Sequence, residues 1–226
     1  EQRRAPGADP PVRGGIRNVI EQRVLTLNGT AHGAGSEMLR IVNTSPVGDW
    51  IHRSLARASA SGNAELELGL SIPLRDFNKA EVKGSVLLAG NDVRITPDSP
   101  LLAAAKGRVD FSHKGFAVVG ATAQAYGGQV AFEGGLRGDG ALRFDGQGTA
   151  SVDALRRASE LGLLARIAPY LSGNVVYRMR LAFVEGHPEI SITSDLVGLA
   201  SELPPPLHKA AQALLATIEL QIDDRI

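Results

Sequence analysis

Ala64-Glu65-Leu66-Glu67-Leu68-Gly69-Leu70-Ser71-Ile72-Pro73-Leu74 decides the fold class. Leu66, Leu68, Leu70, Ile72 and Leu74 fall at every second position, with Glu65, Glu67, Gly69 and Ser71 between them. Successive side chains of a strand point to opposite faces, so this stretch has one apolar and one wet side. The run 174–183 repeats the arrangement: Val175, Tyr177, Met179, Leu181 and Phe183 stand against Asn174, Arg178 and Arg180. Shorter runs obey the same rule at Leu25 and Leu27, Val109 and Phe111, Leu142 and Phe144, Ile190 and Ile192, and Ile218, Leu220 and Ile222. Such alternation marks antiparallel sheet with one face in water, not buried parallel strands.

Working outward, turn signals separate these runs: Gly90-Asn91, Lys114-Gly115, Gly127-Gly128, Asp139-Gly140 and Gly186-His187. Glycine supplies the positive φ that tight hairpins need, so residues 64–150 read as consecutive hairpins, a meander. Helices interrupt it. Ser36 and Ser151 are suited to cap helices at 36–44 and after 151, a further helix follows Pro46 over 47–58, and Pro204-Pro205-Pro206 lead into helical 207–215. The expected fold is mostly β: a long, twisted and curved antiparallel sheet with a few short α-helices, which cover part of the apolar face or cap its ends. Residues 1–18, rich in Pro, Gly and Arg, read as a linker or arm. Residues 19–226 carry an internal repeat. Asn28-Gly29-Thr30-Ala31 and Gln147-Gly148-Thr149-Ala150 each precede a helical stretch with Leu-Arg, then a Ser-Gly-Asn (61–63 and 172–174) and a long alternating strand. This divides the chain into strand–helix–strand modules at about 23–140 and 141–226.

Composition narrows function. The 226 residues carry 24 Lys+Arg and 24 Asp+Glu, so no sequence-wide field attracts nucleic acid. Without cysteine there is no disulfide scaffold, thiolate zinc site or cysteine nucleophile. No run approaches the roughly 18 apolar residues of a membrane span, so any membrane anchor is expected outside this chain.

The motifs of chemistry are missing. The five histidines include no HExxH or HxH, and no metal ligands or cofactor are expected. His113 and His187 sit beside turns and read as solvated. Gly33-Ala34-Gly35 and Gly146-Gln147-Gly148 lack the third glycine of a dinucleotide loop. Glu65, Glu67, Asp110, Glu133, Asp145 and Glu189 belong to wet strand faces; a glycosidase pair among them is the alternative. Asp195 fits a turn or cap, and Trp50 fits core packing. No catalytic residue is assigned.

Ser194-Asp195-Leu196-Val197-Gly198-Leu199-Ala200, followed by Leu203-Pro204-Pro205-Pro206-Leu207 and Lys209-Ala210, resembles a segment of the YhdP family of AsmA-like envelope proteins. The strand ending Ile72-Pro73-Leu74, Val86–Ile95, Gly107–Phe111, Gly127-Gly128, Gly148-Thr149-Ala150 and Leu171-Ser172-Gly173 fit as well. The resemblance runs from about Val24 to the C-terminus. It implies an internal or C-terminal piece of a bridge-like phospholipid transporter, periplasmic and anchored in the inner membrane of a Gram-negative bacterium. It implies phospholipid and neighbouring β-segments as partners, a contribution to the outer-membrane permeability barrier, and no catalytic residues.

A groove has its own physical case. An apolar face can shelter acyl chains while head groups stay wet, and about fifteen methylenes at ~0.8 kcal/mol each make bare aqueous transfer prohibitive. The candidate lining is Leu66, Leu68, Leu70, Val109, Phe111, Leu142, Phe144, Val175, Tyr177, Met179, Leu181, Phe183, Ile190 and Ile192. The same residues would serve as the dry core of a β-sandwich or helix-covered sheet. The other readings are a structural or protein-binding module recruiting partners through sheet edges, with an edge-strand dimer as an expected form, and an enzyme on glycan or lipid.

Overall fold

The computed structural model describes residues 13–15, 24–44, 48, 53, 55–74, 76, 79–136, 141–184, 187–205, 207–212 and 216–221. The strands are β1 (Arg13–Gly15), β2 (Val24–Ala34), β3 (Ser59–Ala60), β4 (Asn63–Pro73), β5 (Glu81–Arg94), β6 (Leu102–Ser112), β7 (Gly115–Ala125), β8 (Gly128–Leu136), β9 (Leu142–Ser151), β10 (Leu171–Val184), β11 (His187–Ser194), β12 (Leu199–Ser201) and β13 (Ala216–Gln221). They form one 13-stranded sheet in the order β1-β2-β4-β5-β6-β7-β8-β9-β10-β11-β13, with β3 beside β5 and β12 beside β10. Each pairing is antiparallel. From β4 to β11, neighbours in the sheet are neighbours in the chain, as the hairpin signals predict. The sheet does not close on itself.

Register turns the local alternation into a continuous surface. One row crosses ten strands: Ala31, Leu66, Val86, Val109, Val118, Gly134, Phe144, Leu181, Ile190 and Leu220 are successive partners. The row one residue over is Thr30, Glu67, Ser85, Asp110, Ala117, Gly135, Arg143, Ala182, Glu189 and Gln221. A slip of one residue in any pair would exchange the two faces, so the apolar pattern itself fixes the register.

Bulges curve this surface. Gly90-Asn91, expected to form a turn, lies inside β5, where the pairing with β6 shifts between Ala89 and Asn91. β6 and β7 shift as well, around Ala104 (φ 49°) and Gly120 (φ 57°). An extra residue switches which parity faces inward. β5 presents Val82, Val86 and Leu88 before its bulge and Val93 after it, and β7 presents Phe116 and Val118 and then Ala121, Ala123 and Ala125. The bulges therefore keep one apolar face while bending the strands. Around them Ala105, Ala123, Ala125 and Val130 are buried, packed by Leu88, Val93, Leu102, Tyr126 and Phe132. The small side chains are covered by larger ones of neighbouring strands on the same face.

Helices gather at one end of the strands. Helix α1 (Gly35–Thr44) leaves the end of β2, and α2 (Val152–Leu155), the 3-10 turn Ser159–Leu161, α3 (Leu163–Ile167) and the 3-10 turn Ala168–Tyr170 lie between β9 and β10. An up-down meander brings the ends of β2, β9 and β11 to the same side. α1 packs on β2, β3 and β4, and α2 packs on β9 and β10. The Ser151 hydroxyl accepts from the Ala154 N–H at 3.2 Å, the cap read in the sequence. The opposite end has tight connections such as the exposed His113-Lys114 turn. The helix expected over 207–215 is not formed in its described part. Lys209 N–H donates to Ser201 O (3.0 Å) and Ser201 N–H to Lys209 O (2.7 Å), an extended pairing that a helix cannot make. The helix at 47–58 with Trp50, and the Asp139-Gly140 and Gly186 turn positions, fall largely outside the described residues.

Candidate functional site: an uncovered apolar trough

All the candidate lining residues whose side chains are described fall on the single face that carries the ten-strand row. Leu66, Leu68 and Leu70 of β4 meet Val86, Gly84 and Val82. Val109 and Phe111 of β6 meet Val118 and Phe116. Leu142 and Phe144 of β9 meet Leu136 and Gly134 on one side. On the other side Phe144 meets Leu181, and Tyr177 and Val175 meet Gly148 and Ala150. Met179 and Leu181 continue to Ile192 and Ile190. Phe183 pairs through its backbone with Pro188, and its side chain lies outside the described residues.

This face is not a filled core. Leu68 is 37% exposed, and every other candidate whose side chain is described is half-buried, none fully so. Glycines keep the floor low. A Cβ at Gly84 would lie 2.6 Å from Phe111 Cζ, and one at Gly134 would lie 2.8 Å from Phe144 Cδ1. One at Gly146 would lie 3.1 Å from Met179 Cγ, and one at Gly148 would lie 3.0 Å from the Tyr177 hydroxyl. Each large side chain thus lies flat across the glycine beside it instead of standing off the sheet. Phe116 and Phe144 extend the pattern, their ring centroids 6.3 Å apart and tilted by 40°. The result is a shallow trough floored by side chains already packed sideways.

The opposite face has the charge. Arg180 Nε donates to Asp145 Oδ1 at 2.9 Å and Arg108 Nη2 to Asp110 Oδ2 at 2.9 Å, all well exposed. Such pairs contribute at most about 1 kcal/mol each. The acids considered for a glycosidase pair that the register places, Glu65, Glu67, Asp110, Glu133, Asp145 and Glu189, lie on this wet face, away from the trough. Among the described residues no group of three His, Asp or Glu side chains could hold a metal ion.

Sequence reading missed the small-residue end of the trough: Ala105, Ala121, Ala123, Ala125 and Val130, all buried. The legible signal was the change of parity within β5 and β7. Two tyrosines stand near that end. Burial pushes the Tyr126 hydroxyl up to about 12, helped by nearby Glu160 and Tyr177, and burial also raises that of Tyr177.

The distinctive 194–210 segment closes the helical end. The Ser194 hydroxyl donates to Val176 O (2.6 Å) and accepts from Leu196 N–H (2.9 Å), and Asp195 Oδ1 accepts from Val197 N–H (3.1 Å). Gly198 turns with φ 84°, where a side chain would be strained. Leu199 packs with the fully buried Val152 and Ala168. Lys209 Nζ donates to Leu196 O, Leu199 O and Ala210 O at 2.9, 2.8 and 2.9 Å. Across the cluster, Arg156 donates to Ala168 O (3.1 Å) and Leu171 O (2.6 Å). A family model described as YhdP protein matches residues 11–225.

The chain belongs to the YhdP family. The match takes in the whole trough and the 194–210 segment at its helical end. In this chain Ser194, Asp195 and Gly198 hold turns, Leu196 and Leu199 pack against Val152 and Ala168, and Lys209 binds three carbonyls. Neither a curated protein nor a solved structure matches the chain. No helix among the described residues is long and apolar enough to cross a membrane.

Proposed function

We propose that this YhdP segment belongs to an envelope protein of a Gram-negative bacterium and shields phospholipid acyl chains in its trough as lipid passes between inner and outer membranes. One observation carries the reading: a continuous apolar row across ten strands whose described side chains are half-buried and, among the described residues, not covered by the helices. Sheltering acyl chains there recovers the ~0.8 kcal/mol per methylene that water would charge. Low grip suits a track, and a floor of flattened side chains offers no deep specific pocket. The resemblance supplies the rest of the reading: a periplasmic location, the two strand–helix–strand stretches as successive panels of one bridge, and no catalytic step. Among the described residues the outermost strands, β1 and β13, each have one neighbour in the sheet. Adjoining β-segments of the full protein would add there, or in isolation a second copy.

Native mass spectrometry after mild purification tests the proposal. Phospholipid should remain bound near stoichiometrically. Leu68→Asp and Met179→Asp should each reduce it by about tenfold or more, because a carboxylate would have to be desolvated against the acyl chain. Arg178→Asp, beside Met179 but on the wet face, should retain lipid. Circular dichroism of each variant separates loss of binding from loss of fold. Wild-type protein that carries no lipid and takes none from vesicles would contradict the proposal.

A further inference from the structure

We infer that Tyr126 and Tyr177 form a hydrogen-bonding station at the helical end of the trough that receives the ester carbonyls of a glycerolipid and so fixes which end of the lipid faces the helices. The inference rests on the lipid reading above and adds a ligand contact to it.

Tyr177 stands on the trough face of β10 opposite Gly148, and its hydroxyl would lie 3.0 Å from a Cβ at that position. The phenol therefore reaches across β9 along the floor, towards Val130, the partner of Gly148 on β8. Tyr126 packs on the cluster that contains Val130. The two side chains thus converge on one patch. Tyr126 occupies the first position of the tight β7–β8 turn with φ 52°. Asn or Gly adopts that conformation at lower cost, and a bulky side chain held there points to a role beyond the turn.

Both phenols are half-buried, and among the described residues neither hydroxyl is a buried atom left unpaired, so each reaches the open surface of the trough. A half-buried tyrosine normally finds an acceptor for its hydroxyl. Both hydroxyls stay protonated at neutral pH, since burial holds them above the ordinary phenol range. They are therefore donors open at the surface of a largely apolar trough, able to exchange water for the acceptor of a bound ligand. Glu160 stands near Tyr126 and opposes any added negative charge, which disfavours a phosphate or carboxylate at this spot and favours a neutral carbonyl oxygen. Acyl tails would then run away from the helices along the trough, with the head group outside.

The test offers the protein an equimolar mixture of a diester phosphatidylcholine and its dialkyl ether analogue in vesicles, and reads the ratio bound by native mass spectrometry. The ether lipid has the same tails and head group but no carbonyls. Wild type should prefer the ester lipid by about fivefold or more, the scale of two modest hydrogen bonds. Tyr126→Phe/Tyr177→Phe, which keeps both rings, should bring the ratio to about one, and each single variant should lie between; should the double variant take up neither lipid, the single variants decide. Lipid uptake with no ester preference, or a preference unchanged in the variants, would overturn the station and leave the trough standing. No uptake of either lipid by wild type would overturn both.

Discussion

Lys209 sets an ammonium group among three backbone carbonyls of an irregular segment, two of which, Leu196 O and Ala210 O, also accept from the N–H groups of Leu199 and Gln212. Its contacts to Leu196 O, Leu199 O and Ala210 O hold the 194–210 loop against Val152 and Ala168. Hydrogen bonds from a charged donor contribute about 1.5–3 kcal/mol. Lys209→Met, which keeps the aliphatic stem, should lower stability by about 2–3 kcal/mol in urea unfolding. A loss below about 0.5 kcal/mol would mean that the loop closes without it. This residue was visible in the sequence only through its family pattern, and its chemistry was not. A lysine eight residues after a buried serine gives no hint that its backbone will pair with that serine. The prolines at 204–206 suggested a helix start, and tertiary pairing overrode that local preference.

At the scale of elements, alternation was the reliable signal because a one-sided sheet cannot form without it. It revealed the strands, their faces and the hairpin order. It did not reveal the bulges, because Gly-Asn serves a turn and a bulge equally well: both need a residue with positive φ followed by a short polar side chain. At Gly90-Asn91 long-range contacts decide. Asn91 is buried, its Nδ2 donates to Ser61 O (2.8 Å) and Asn63 O (3.0 Å), and its Oδ1 accepts from Ala89 N–H (3.0 Å). One side chain thus ties the β5 bulge to the chain entering β4. Asn91→Ala should cost about 2–4 kcal/mol, more than a surface strand substitution, by removing three hydrogen bonds made by a buried side chain. It should also raise hydrogen-exchange rates at Ser61–Ala64 and around Gly90 while β9 and β10 stay protected. Uniform loss of protection, or none, would contradict a local staple.

At the scale of the molecule, what matters is that one face repeats across ten strands and that, among the described residues, no helix packs over its middle. Nine inter-strand steps of about 4.8 Å make the apolar row roughly 43 Å long, more than the ~30 Å hydrocarbon core of a bilayer. Individual runs could be read in the sequence, but their joining into one surface depends on register, which lies between strands and not within them. Whether those leucines line a core or a trough was equally undecided, since both demand alternation. Half-buried side chains and glycines lying beneath Phe111, Phe144, Met179 and Tyr177 distinguish the two. The central claim is that lipid meets one face of the sheet and not the other. Site-specific photo-crosslinking tests it most directly, with a photoreactive residue placed at Leu68 or Met179 on the trough, and at Glu67 or Arg178 one residue away on the wet face. The account predicts phospholipid adducts from the first pair and not from the second; equal adducts from both faces, or none from the trough, would contradict it.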